Sequence, residues 1–108
     1  MILTGKEIHN EVIAGNIQIT PFDPSRINPN SYNLTLDSEL AVYDSKVHNA
    51  KKENTLEKFR LRDSGTAIQP GVLYLASTVE ETFTHKYVPI LSGRSSVGRL
   101  GISIHVTA

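Results

Sequence analysis

The chain has 108 residues, 11 basic and 11 acidic side chains, and no cysteine. That length suits one domain with a modest core, and the balanced charge argues against a nucleic-acid partner, whose capture rests on a basic field. Without cysteine there is neither a disulfide nor a thiolate metal site, and with no long apolar run at the start the expectation is a cytoplasmic protein without membrane contact.

Thr4-Gly5-Lys6-Glu7 has the spacing of a capping box, which predicts a helix over residues 4–14. Ile8, Val12 and Ile13 form its apolar stripe, and Gly15-Asn16 supplies the stop. Ile17-Gln18-Ile19 alternates briefly. Between Thr20 and Asn30 three prolines exclude helix and central strand alike. What remains is an ordered, extended connector pinned by Phe22 and Ile27. Residues 31–36 alternate again, with Tyr32, Leu34 and Leu36 on one face. A turn at Asp37-Ser38-Glu39 then leads to a strand over 40–43.

Residues 44–58 are polar and read as a solvated arm, with His48 exposed. Phe59-Arg60-Leu61-Arg62 resumes the strand pattern, and Asp63-Ser64-Gly65-Thr66 turns. Pro70-Gly71 is a strong turn dipeptide. Residues 72–79 are the most β-prone run, predicted as a central strand, and residues 80–85 lead away from it. Residues 87–91 read as a short strand near an edge, because Pro89 removes a ladder donor.

Gly93-Arg94-Ser95-Ser96-Val97-Gly98-Arg99-Leu100-Gly101 packs two arginines, two serines and three glycines into nine residues. Guanidinium forks match phosphate oxygens, hydroxyls add donors, and glycine lets the backbone turn tightly. Residues 102–108 alternate apolar and polar, so a donor-rich turn feeds a strand. On the residues alone an anion clamp and a solvated surface turn both remain open. One short helix followed by many short strands argues a mainly β domain, a barrel or sandwich. The last strand stops at Ala108 in mid-sheet, so the single domain 1–108 is expected to be incomplete at its C-terminus.

The glycine-arginine stretch followed by His105-Val106-Thr107-Ala108 resembles the signature of deoxycytidine triphosphate deaminases, of the dUTPase-like superfamily. The front agrees: Ile19-Thr20-Pro21-Phe22-Asp23-Pro24, then the run from Ile27 through Asn28-Pro29-Asn30-Ser31-Tyr32-Asn33 to Leu36. Pro70-Gly71 and the run after it match a third motif. The resemblance implies a distorted β-barrel with a short N-terminal helix, assembled as a homotrimer with sites between subunits. It implies hydrolytic deamination of dCTP at C4 to dUTP and ammonia. Some members carry the nucleotide on to dUMP and diphosphate. A dUTPase or bifunctional enzyme, and a non-catalytic relative binding nucleotide or protein, are the alternatives.

Carried over by position, Arg94, Ser95, Ser96 and Arg99 resemble substrate-binding residues. Ser95, Arg99 and Ala108 resemble catalytic ones: Ser95 beside the attacking water, Arg99 at the catalytic centre, and the Ala108 carbonyl facing the water. His105 is read as structural before catalytic. Asn33 stands where an aspartate is expected, which puts any metal role there in doubt. Magnesium is expected only as a companion of the substrate triphosphate. Zinc is not expected, because there is no cysteine and His9, His48, His85 and His105 lie in unlike contexts. The family's catalytic glutamate follows the His-Val-Thr-Ala motif, so these 108 residues alone are expected to be inactive.

Overall fold

The computed structural model describes residues 1–105. Helix α1 spans Gly5–Ile13 and opens on a complete capping box. The Thr4 N–H donates to Glu7 Oε2 at 2.7 Å, and the Glu7 N–H donates to Thr4 Oγ1 at 3.3 Å. Its end is a Schellman closure: Asn16 N–H reaches the Glu11 carbonyl at 2.9 Å, Gly15 N–H reaches that of Val12 at 3.1 Å, and Gly15 takes φ +79°. The apolar stripe is narrower than the sequence implies. Ile8 and Val12 are half-buried, whereas Ile13 is exposed.

Strand β1 (Ile17–Thr20) pairs antiparallel with β7 (Glu81–Thr84), from Ile17 opposite Thr84 to Thr20 opposite Glu81. The proline-rich connector holds a 3-10 turn at Pro24–Arg26, capped by Asp23, whose Oδ1 accepts from the Ser25 N–H at 2.9 Å. Phe22 pins it as expected, stacked between His9 (6.0 Å between ring centroids) and Tyr32 (5.5 Å). Two short strands follow, β2 (Ile27–Asn28) and β3 (Ser31–Tyr32), joined in a tight hairpin. Helix α1 lies against this hairpin, with the Gly5 N–H donating to the Pro29 carbonyl at 2.8 Å.

The largest sheet has the order β5-β4-β6, all antiparallel, from β4 (Leu36–Tyr43), β5 (Leu56–Arg60) and β6 (Leu75–Thr78). Leu40 and Ala41 of β4 are the buried apolar residues among those described. The molecule is thus mainly β with a short N-terminal helix, as expected. Its strands form three separate antiparallel sheets, and no barrel closes among the described residues.

Several sequence expectations change. The turn at Asp37-Ser38-Glu39 is an irregularity inside β4, where Leu36 faces Thr78 and Leu40 faces Ala76. The run 72–79 is an edge strand, not a central one, and begins only at Leu75. Gly71 adopts φ +75°, and the Gln69 N–H donates to Tyr74 Oη at 2.9 Å, so the turn uses up the start of the run. Residues 80–85 contain β7, which pairs with β1. Residues 87–91 form no strand, and Val88 and Ile90 are exposed. The arm is shorter than read, since β5 starts at Leu56. Tyr43 packs on His48, with 4.3 Å between ring centroids. Residues 102–105 are not strand.

Candidate functional site

The signature stretch is a single helical turn rather than an irregular one. Arg94, in extended conformation, caps α2 (Ser95–Gly98), and Arg99 closes it. Val97 and Gly98 N–H groups donate to the Arg94 carbonyl at 3.0 and 2.9 Å. Gly101 takes φ +80°, and its N–H returns to the Gly98 carbonyl at 2.9 Å while that of Ile102 reaches Val97 at 3.4 Å. A glycine suits Gly101 because side chains rarely adopt that backbone state. Gly93 sits against Ile104, where an added Cβ would lie 3.0 Å from Ile104 Cγ1. The stretch therefore leaves and returns at nearly one point, as a closed loop.

This loop brings Arg94, Ser95, Ser96 and Arg99 together on one turn. All four are exposed, and their side chains make no hydrogen bond or ion pair among the described residues. Arg94 precedes α2 and Arg99 follows it, five residues apart. The arrangement offers two guanidinium forks and two hydroxyls with donors unspent. Ala108 lies outside the described residues. His105 is exposed, outside any strand and without a hydrogen bond among them. Among the described residues no three His, Asp or Glu side chains converge as metal ligands.

Sequence reading missed Glu80. It is 5% exposed, the buried charged residue among those described. Its Oε2 accepts from the Thr35 N–H at 2.8 Å and its Oε1 from the Thr35 hydroxyl at 2.7 Å. The Thr78 hydroxyl donates to the Glu80 carbonyl at 2.8 Å, and the Val79 N–H to the Thr35 carbonyl at 2.9 Å. Burial works against the charge, but the two Thr35 bonds and the Arg26 guanidinium outweigh it and hold the carboxyl below its ordinary range. With both oxygens held, this acid is a tie between the start of β4 and the β6–β7 turn. The only hint in sequence is a pair of acids closing a β-prone run, which does not say which of them turns inward.

The departure at Asn33 also has a physical account. Asn28 Nδ2 donates to Asn33 Oδ1 at 2.8 Å, and Asn33 Nδ2 returns a bond to Asn28 Oδ1 at 3.4 Å. An aspartate has no donor for the return bond. Asn33 thus braces the β2–β3 hairpin on which α1 rests.

The model of the dCTP deaminase-like family matches residues 2–108, and the chain belongs to that family. Among curated relatives, proteins named "dCTP deaminase, dUMP-forming" are 53% identical in Hathewaya histolytica and in Clostridium beijerinckii, and 50% in Cytophaga hutchinsonii. Each aligns over all 108 residues of this chain, which spans 62% of the relative's length. No helix among the described residues is long and apolar enough to cross a membrane.

Proposed function

We propose that the chain carries the triphosphate clamp of an enzyme that deaminates dCTP and releases dUMP. The observation that carries this is the closed loop 93–104, which presents Arg94, Ser95, Ser96 and Arg99 together with their donors unspent. Family membership supports cytosine as the base and deamination as the reaction class. The printed names of the relatives favour dUMP over the dUTP expected first, and so the bifunctional alternative.

Two water molecules are consumed. One adds to C4 of the cytosine, and the C4–N bond breaks with release of ammonia. The other attacks the α-phosphorus, and the bond to the β-phosphate oxygen breaks with release of diphosphate. In this reading Arg94 and Arg99 neutralise the triphosphate, Ser95 orients the water or the C4 substituent, and Ser96 donates to a phosphate oxygen. Magnesium arrives with the substrate on its phosphates, and the clamp is completed in a homotrimer.

The test joins these 108 residues to the remaining C-terminal portion of the Hathewaya histolytica relative and supplies dCTP with magnesium. Chromatography should show dUMP and diphosphate in equal amounts. Arg94→Ala should raise the KM for dCTP roughly tenfold to a hundredfold, the loss of one charge-assisted contact. Accumulation of dUTP, or an unchanged KM, counts against the reading.

A further inference from the structure

A second group of unspent donors lies well apart in sequence from the signature loop. Phe59, Arg60, Arg62, Gly65, Thr66 and Ala67 line an open cleft of about 310 Å³ beside the edge strand β5. Arg60 ends β5, Arg62 lies two residues further on before the turn, and both line the cleft. Leu61, between them, and Phe59, before them, are half-buried. The chain then turns back through Gly65, at φ +98°, whose N–H reaches the Arg62 carbonyl at 2.9 Å. That turn places Thr66 beside Arg62, and the Thr66 hydroxyl oxygen accepts from the Arg62 N–H at 2.9 Å. Its proton stays free to be donated.

The charges nearby favour an anion here. No carboxylate lines the cleft, and neither arginine forms an ion pair among the described residues. Glu39 stands opposite Arg60 in the ladder, but its carboxylate is turned to Lys58 at 3.7 Å. Asp63 belongs to the turn yet does not line the cleft. Two guanidinium forks and a hydroxyl thus face one opening. Phe59, half-buried and edge-on to Tyr74 with 6.2 Å between ring centroids, is an aromatic residue of the cleft lining. Planar forks matched to phosphate oxygens, next to an aromatic surface, are the chemistry that holds a phosphorylated small molecule.

We propose that this cleft is a phosphate-binding site distinct from the signature loop, with Arg60, Arg62 and Thr66 as its donors and a diphosphate-bearing ligand as its occupant. A lone pair of solvated arginines would show no saturable, localised binding. In an amide NMR titration of the protein with inorganic diphosphate at low salt, resonances of residues 59–67 should move together and saturate. A parallel titration with a nucleoside diphosphate shows whether Phe59 adds to binding, since a flat base would tighten it severalfold over diphosphate alone.

Arg60→Ala with Arg62→Ala should weaken the site at least tenfold, and both side chains are exposed, so the fold should survive. Arg94→Ala with Arg99→Ala should leave it unchanged, which separates this site from the clamp proposed above. The proposal is overturned if residues 59–67 do not respond, if they respond without saturating, or if the Arg60/Arg62 variant binds as tightly as the wild type.

Discussion

At the scale of single residues, the tie between Glu80 and Thr35 joins the buried charged residue among those described to the start of β4 through two hydrogen bonds. A buried carboxylate that loses its donors keeps its desolvation penalty, so breaking such a contact costs more than the bond contributes. Glu80→Gln, which puts an amide where two donors converge, should cost about 1.5–3 kcal/mol in chemical denaturation. The exposed neighbour change Glu81→Gln should stay within about 0.5 kcal/mol. The pH dependence has a definite sign. The folded carboxyl of Glu80 titrates below its ordinary value of 4.5, so the unfolded chain binds the proton first. Its stabilisation is complete above the unfolded value and is lost as pH falls through the folded one. Glu7, Glu11 and Asp23 are lowered too, by Thr4, Asn16 and Ser25 respectively. The wild type should therefore lose stability below about pH 5 more steeply than the Glu80→Gln protein, and the gap between them should close in acid. A constant gap from pH 7 to pH 3 would assign the effect of the substitution to packing alone.

Elements were legible in the sequence where their signals are local. The capping box and the glycine stop of α1 lie within a turn of the residues they satisfy, and both are found as read. Gly5 could not have been singled out from sequence: a Cβ there would run into the Asn28 carbonyl and come within 2.7 Å of Ile27 Cγ2, across a contact the chain makes only when folded. For the same reason β7 was missed, because its partner β1 lies more than sixty residues earlier. Run 72–79 looked central from propensity, yet strand centrality is decided by partners, and β4 takes partners on both sides. The candidate site was legible as a set of residue types but not as a shape, since glycines at both ends of a stretch fit an open turn and a closed helical loop equally. Two substitutions check the helix end of this account by thermal or chemical unfolding. Thr4→Ala removes the cap and should cost about 1 kcal/mol. Gly5→Ala should cost more, despite alanine's better helix propensity, because α1 must then move off the β2–β3 hairpin. A stabilised Gly5→Ala protein would mean that this contact is not held in solution.

The chain, which spans 62% of the length of the relatives it matches, is more open than a compact protein of its size. A compact chain of this size has a radius of gyration of about 13 Å, against 16.4 Å here. Its accessible surface is 8977 Å², where a compact monomer of this mass exposes about 6,000 Å². Among the described residues only Leu40 and Ala41 are buried apolar side chains, while Val88, Ile90, Leu100 and Ile104 on either side of the signature loop lie exposed. Apolar surface left uncovered on either side of the signature loop fits a face that further protein covers. The consequence can be measured without knowing what that protein is. The dependence of unfolding free energy on denaturant scales with the surface exposed on unfolding, and this chain as a monomer releases about three-quarters of the surface that a compact one would. Urea unfolding at concentrations where light scattering gives a monomer should therefore show a slope about three-quarters of that normal for the length. Where scattering gives an oligomer, the slope should rise toward the normal value and the midpoint should depend on protein concentration. A full slope from the monomer would show that these apolar residues are already covered within one copy.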